Sequence, residues 1–94
     1  HLMDAMPVTF AQEFGAWASQ LESARMRIED ALGRLRRLPI GGTAVGTGIN
    51  ADERFAGRVS RALSKRAGVR FESADDRFEG IASQDDAVEL SGQF

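Results

Sequence analysis

The longest regular pattern in the sequence is a stripe of apolar residues in its first half. Successive members are separated alternately by four and three residues. That average of about 3.5 is typical of a helix packed in a left-handed supercoil. The stripe consists of Phe10, Phe14, Trp17, Leu21, Ala24, Ile28, Ala31, Leu35 and Leu38. We therefore predict a helix over residues 10–38, about 43 Å long.

The ends of this predicted helix carry the expected local signals. Thr9 and Gln12 have the spacing of a capping box, in which each side chain satisfies a backbone N–H at the helix start. Pro39 ends the helix because it cannot continue the backbone hydrogen bonds. So long a helix cannot bury its apolar stripe on itself. We expect it to pack against other long helices, from a longer chain or from other subunits.

A glycine-rich segment, residues 39–50, follows the helix and reads P-I-G-G-T-A-V-G-T-G-I-N. Glycine loses the most backbone entropy on folding, so four of them this close together indicate positive φ angles or a close neighbour. We predict a structured turn. From these residues alone, both a plain connection between helices and a turn beside a ligand remain open.

The second half of the sequence predicts two further helices. One covers residues 51–67, with Asn50 as its cap and Gly68 at its end. After an extended link at residues 69–72, Ser73 and Asp76 indicate a helix from about residue 74 to the end. Arg54, Arg58, Arg61 and Lys65 form a basic stripe, which we interpret as a solvated face. The predicted fold class is all-α, with a bundle of long helices.

Composition excludes several classes of function. The 94 residues contain no Cys and one His, which rules out disulfides, thiolate metal sites and multi-histidine metal sites within them. The net charge of −2 argues against nucleic-acid binding. No stretch is apolar enough to span a membrane, and no export signal is visible. We expect a cytoplasmic protein, and we expect the sequence to be part of a longer chain.

Little catalytic chemistry is complete in the sequence. Asp75 and Asp76 are adjacent, as are Asp85 and Asp86. Neighbours on a helix do not face each other, so neither pair is a convincing acid–base couple. The glycine-rich segment lacks the G-K-[ST] ending of a phosphate-binding loop.

Two segments carry a family resemblance. H-L-M-D-A-M-P-V-T-F-A-Q-E-F at residues 1–14 and L-P-I-G-G-T-A-V-G-T-G-I-N at residues 38–50 resemble the fumarase/aspartase superfamily, and class II fumarate hydratases in particular. The resemblance continues through F-E-S-A at 71–74, F-E at 78–79 and V-E-L-S-G at 88–92. It therefore covers essentially the whole sequence.

The resemblance implies that residues 1–94 belong to the central helical-bundle domain of a homotetramer, whose active sites are built from several subunits. It also implies reversible hydration of fumarate to L-malate in the tricarboxylic acid cycle, with no metal or organic cofactor. Its partners would be fumarate, L-malate and other copies of the chain, with neither nucleic acid nor membrane.

The resemblance also implies roles for individual residues. His1 matches the active-site histidine of the T-H-x-x-D-A-x-P motif, which makes it the candidate catalytic and substrate-binding residue. Asp4, Ala5 and Pro7 match the same motif, whereas Ala11 stands where the family more often has Gly. We expect Asp4, Thr47 and Asn50 to be structural neighbours of the site rather than ligands.

Two signature segments of the family do not occur in these residues. They are the S-S-N-D-type segment and the flexible loop G-S-S-x-M-P-x-K-x-N-P, whose Ser the family is thought to use as the base. We therefore expect the 94 residues to be inactive alone. The alternatives are aspartate ammonia-lyase or another lyase of the superfamily and, from a different class, a non-catalytic helical oligomerisation module.

Overall fold

The structure, a computed structural model, describes residues 2–94, and within them it is mainly helical, as the sequence predicts. Helices are joined by irregular segments and by one pair of very short parallel strands. The elements in chain order are α1 (Phe10–Leu35), β1 (Arg37–Leu38), α2 (Phe55–Ala67), β2 (Glu72–Ser73), α3 (Arg77–Ala82) and α4 (Asp85–Ser91).

The start of α1 confirms the predicted capping box. The backbone N–H of Gln12 donates to Thr9 Oγ1 over 3.2 Å, and the backbone N–H of Thr9 donates to Gln12 Oε1 over 2.9 Å. Each side chain thus satisfies a donor that the helix itself leaves unpaired. The four residues of the motif contain all the information needed, which is why the sequence predicts this boundary correctly.

The predicted end of α1 at residue 38 is wrong, because the helix ends at Leu35. Arg37 and Leu38 instead form β1, which pairs in parallel with β2. The N–H of Glu72 donates to the Arg36 carbonyl over 3.0 Å, and that of Ala74 donates to the Leu38 carbonyl over 2.8 Å. Leu38 also precedes a proline, which disfavours helical backbone. At its observed length α1 spans about 39 Å.

The predicted start of the second helix at residue 51 is also wrong. Asn50 has a φ of 63°, so its backbone is left-handed and it does not cap a helix. Asp52 Oδ1 accepts a hydrogen bond from the N–H of Arg54 over 2.7 Å, which holds an extra turn before α2. The predicted end is correct: Gly68 is left-handed, with φ 71°.

The single helix predicted from about residue 74 is wrong as well, since two short helices occupy that region. Asp76, not Ser73, begins α3: its carboxylate accepts from the N–H groups of Phe78 and Glu79. Ser83 is extended, with ψ 149°, and its hydroxyl accepts from the N–H of Asp85. The serine therefore ends α3 and supports the start of α4.

Little apolar surface is buried within residues 2–94. The buried apolar side chains are those of Ala31 and Ala56, which are 1% and 3% exposed. The end of α1 packs against α4, whereas Phe10 and Leu21 on its first half remain 76% and 72% exposed. The radius of gyration is 20.7 Å, compared with about 12 Å for a compact domain of this length.

The overall shape is an elongated rod with extents of 68 × 29 × 15 Å. Its long axis exceeds the length of α1 because the segment before Thr9 and the short elements after Leu35 extend the molecule. No helix in the described part of the chain is both long and apolar enough to cross a membrane. The basic stripe on α2 is exposed, as predicted.

Candidate functional site

The glycine turn, residues 39–50, is organised around the carbonyl of Gly42. That oxygen accepts hydrogen bonds from the N–H groups of both Gly46 and Gly48, each over 3.0 Å. The N–H of Gly42 itself donates to the Pro39 carbonyl over 3.2 Å. The segment is thus a folded turn with its own hydrogen bonds, as the sequence predicts, rather than a loose connection.

Helix α3 packs directly against this turn. Gly46 has a φ of 112°, and a Cβ added there would lie 2.9 Å from the ring of Phe78 and 3.1 Å from its backbone N. That separation is well inside van der Waals contact, so a side chain at residue 46 would push α3 away. The close approach fixes the first residues of α3 over the glycine turn.

A small cavity of about 110 Å³ lies where the glycine turn, the start of α3 and the start of α2 meet. Thr47 and Gly48 line it from the turn, and Arg77 lines it from α3. Two acidic residues, Asp52 and Glu53, contribute the other charged groups. The cavity wall therefore combines a hydroxyl, a guanidinium and two carboxylates with the backbone of the glycine turn.

Arg77 is the charged residue most closely associated with the turn. A Cβ added at Gly48 would lie 3.5 Å from Arg77 Nη1, so the guanidinium lies against the glycine backbone. Its Nε atom is buried and has no hydrogen-bond partner among residues 2–94. Arg77 belongs to none of the motifs that the sequence contains. No local signal could have identified it, because its contact with the turn depends on how α3 folds back.

The carboxylate of Asp52 is already paired with a neighbouring arginine. Its carboxylate accepts from Arg54 Nη2 over 3.1 Å and from Arg54 Nε over 3.2 Å. These side-chain hydrogen bonds, together with the backbone N–H of Arg54, lower the pKa of Asp52 below its ordinary value. Among the described residues the carboxylate of Asp52 is thus paired with Arg54.

The residues predicted to lie at or near the site occupy two separate places. Thr47 lines the small cavity. Asn50 is exposed at the end of the turn and does not line the cavity. Asp4 lies in the exposed, irregular segment before α1. The candidate catalytic and substrate-binding residue, His1, lies outside the described residues.

The two sequence motifs therefore lie beyond opposite ends of α1. The segment containing Asp4 precedes Thr9, and the glycine turn follows Leu35. The intervening helix is about 39 Å long, and the side chains of Leu2, Met3, Met6 and Val8 are exposed. The segment before α1 thus does not fold back onto the helix. Within residues 2–94, the segment before α1 and the glycine turn therefore do not meet.

A larger, open cavity of about 520 Å³ lies between the end of α1 and the α3–α4 region. Both acidic pairs from the sequence, Asp75–Asp76 and Asp85–Asp86, line it. Asp76 is engaged in capping α3. Among residues 2–94 no three His, Cys, Asp or Glu side chains are placed to hold a metal ion. The structure thus brings the two pairs to one cavity without forming an evident catalytic couple.

Comparison with known proteins gives consistent matches over the whole chain. A family model described as Lyase matches residues 1–94. The chain is 63% identical over 94 residues to a protein of Xylella fastidiosa, strain Temecula1, named fumarate hydratase class II. It is 54% identical over 94 residues to a Pseudomonas aeruginosa protein named fumarate hydratase class II 2. All of this chain is covered in both matches.

The fold also matches a solved structure. The crystal structure of recombinant class II fumarase from Schistosoma mansoni superposes with a TM-score of 0.92 at 30% sequence identity. The match covers 99% of this chain and 22% of that one. The chain spans 20% of the length of the curated relatives described above.

Proposed function

Because the chain belongs to the lyase family, whose model matches its full length, we propose that it is a segment of a class II fumarate hydratase. The observation that carries this proposal is the 63% identity to a fumarate hydratase class II over all 94 residues. The proposed reaction is the reversible addition of water to fumarate, giving L-malate, in the tricarboxylic acid cycle of the cytoplasm.

His1 is the proposed catalytic residue of this segment. The difficult step of the reaction is the transfer of a proton beside a carboxylate, which needs a positioned base and donors for the developing negative charge. A histidine titrates near neutral pH and can hold or pass such a proton. In this proposal His1 binds substrate or its attacking water, and Asp4 supports the backbone around it.

The glycine turn is the proposed wall of the site, with Thr47 and Asn50 as structural neighbours. Asp4 and Thr47 lie beyond opposite ends of a helix about 39 Å long. Two copies of the chain packed through α1 would supply the two motifs to one site. This separation supports active sites shared between subunits of the proposed homotetramer. The 94 residues alone would be inactive because they lack the two signature segments that the resemblance also calls for.

The test uses the full-length protein that contains this chain. We expect the purified protein to consume fumarate, followed by the loss of fumarate absorbance, and to form L-malate. The His1→Asn variant removes the titrating group at similar volume, and we expect it to lower kcat by about 10²-fold or more. The 94-residue segment alone should show no turnover.

The control is Gln20→Asn, a mild change on the exposed surface of α1 that should leave kcat unchanged. Release of ammonia from aspartate by the full-length protein, without fumarate hydration, would assign it to aspartate ammonia-lyase instead. Neither activity in a correctly assembled protein would leave another lyase of the superfamily or the non-catalytic oligomerisation module.

A further inference from the structure

We propose that Arg77 binds a carboxylate group which this chain does not itself supply, at the small cavity beside the glycine turn. The inference rests on the proposed function for the identity of the ligand, a dicarboxylate. It rests on the geometry alone for the site. It adds to the site a residue that neither sequence motif contains.

The guanidinium of Arg77 is held in position beside the glycine turn. Arg77 follows the cap of α3, and α3 is held over the turn by the contact between Phe78 and Gly46. Its Nη1 atom lies against the backbone at Gly48. The arginine is therefore fixed at the cavity by the packing of its own helix, rather than free to extend into solvent.

Among residues 2–94, the side chain of Arg77 has an unused hydrogen-bond donor. The Nε atom of Arg77 is buried without an acceptor among residues 2–94. A buried donor without an acceptor has lost its hydration without compensation, and the cost is larger when the donor is charged. A planar guanidinium presents its donors as a fork that matches the two oxygens of a carboxylate. A carboxylate in the cavity is the chemistry that would pair with the Nη end of this fork, since Nη1 lies beside Gly48 on the cavity wall whereas Nε is closed off by protein atoms.

The acidic residues that line the cavity do not supply a carboxylate to Arg77 Nε. Asp52 is paired with Arg54 through two side-chain hydrogen bonds. Glu53 also lines the cavity, but the Nε atom of Arg77 finds no acceptor in it or in any other described residue. The cavity, at about 110 Å³, is a few times the volume that one water molecule occupies in the liquid, about 30 Å³. That is room for a carboxylate group, with the Thr47 hydroxyl on the same wall.

The carboxylate can come from one of two sources with the same chemistry. One is a bound dicarboxylate such as the substrate, and the other is an acidic side chain of a second copy packed against the turn. Substitution of Arg77 separates the two sources. If a bound dicarboxylate is the partner, the substitution weakens ligand binding in an intact assembly. If a second copy is the partner, the substitution disrupts the assembly itself.

The test compares Arg77→Gln with the wild type in the full-length protein. Succinate, an unreactive dicarboxylate, serves as the probe, with its Kd measured by calorimetry and the subunit mass by sedimentation. If substrate supplies the carboxylate, we expect the Kd for succinate to rise at least about tenfold, by analogy with lost charge-assisted pairs, at unchanged mass. If a second copy supplies it, we expect the assembly to dissociate.

Two further variants guard the interpretation. Arg77→Lys keeps the charge but loses the fork, so we expect a smaller change of the same kind, which remains measurable if Arg77→Gln does not fold. Arg58→Gln removes an exposed cation on α2 and should change neither quantity.

Two results would overturn the inference. One is wild-type succinate affinity and wild-type mass in Arg77→Gln. The other is a Glu53→Gln variant that reproduces the effect of Arg77→Gln, because Glu53 would then be the partner within the chain. A wild-type protein that does not hydrate fumarate would instead contradict the proposed function and leave the assembly measurement as the test of Arg77.

Discussion

At the scale of single residues, Gly46 shows most clearly why the glycine turn has its composition. Its φ of 112° lies in a region that side chains disfavour, and its missing Cβ leaves space for Phe78. The positive φ and the contact with Phe78 thus both require glycine at residue 46. The position therefore links the backbone of the turn to the placement of α3, and through α3 to Arg77.

Replacing Gly46 with alanine should destabilise the fold. The positive φ alone costs about 1–3 kcal/mol, and the contact with Phe78 adds to it. We expect a lower Tm for the full-length protein in thermal unfolding. Gly33→Ala is the matched control, since nothing lies within 4 Å of a Cβ there. It sits in a helix, where alanine is favoured by about 1 kcal/mol. Equal Tm values for the two variants would contradict this account.

Residue-scale features could be predicted from the sequence where their causes are local. The sequence predicts both the Thr9 capping box and the left-handed Gly68, because each depends on residues within one helical turn. The position of Arg77 is not predicted, since its neighbour Gly48 is distant in sequence. Ser60 illustrates the same limit: its hydroxyl is buried without a partner among the described residues, and no sequence pattern signals that.

At the scale of elements, one ion pair joins the first and last helices. Arg34 on α1 donates from Nε to Glu89 Oε2 over 2.6 Å and from Nη2 to Glu89 Oε1 over 2.7 Å. Arg34 also donates to Asp30 on its own helix. The contact with Glu89 is the largest cause of a raised pKa at Arg34. This fork-to-fork geometry is the strong form of such a pair.

Breaking this pair should loosen α4 specifically. In Glu89→Gln we expect the backbone amides of α4 to exchange with deuterium several-fold faster, while those of α2 keep their rates. Hydrogen exchange read by mass spectrometry measures both helices in one experiment. The control is Arg25→Gln, which removes exposed pairs with Glu22 and Glu29 inside α1. If both variants changed α4 equally, the pair would have no special role.

The elements also show where sequence reasoning lost accuracy. The existence of α1 was evident from its apolar spacing, but its end was misplaced because β1 pairs with a strand from another part of the chain. The region after residue 74 was predicted as one helix because its apolar spacing is helical throughout. Ser83 interrupts it, since a serine side chain competes for nearby backbone N–H groups.

At the scale of the whole molecule, the apolar stripe of α1 is covered at one end and exposed at the other. Ala31 is buried near α4, whereas Phe10, Phe14, Trp17 and Leu21 present a continuous apolar strip. A strip of this kind marks an interaction surface. The regular 3.5-residue spacing predicted the need for companion helices, but it could not indicate which half α4 would cover.

Placing a charge in the exposed half of the stripe should prevent assembly. If the full-length protein forms the proposed homotetramer through this stripe, we expect Leu21→Glu to shift it to smaller species in analytical ultracentrifugation, because a carboxylate would be buried without a partner. Ser19→Glu is the control, since residue 19 lies roughly 200° around the helix from residue 21. An unchanged sedimentation profile for Leu21→Glu would contradict the assignment of the stripe as an interface.

The scarcity of buried apolar side chains in residues 2–94 also affects how the protein matures. A helix in a protein is stabilised mostly by packing against other elements, and α1 has few such contacts within this segment. We therefore expect α1 to become stable only after it packs against helices outside the segment. If those helices belong to other subunits, refolding from denaturant includes a bimolecular association step, and its half-time increases as the protein is diluted. At a low local concentration, newly synthesised chains would then stay unassembled for longer and would be cleaved more readily by proteases.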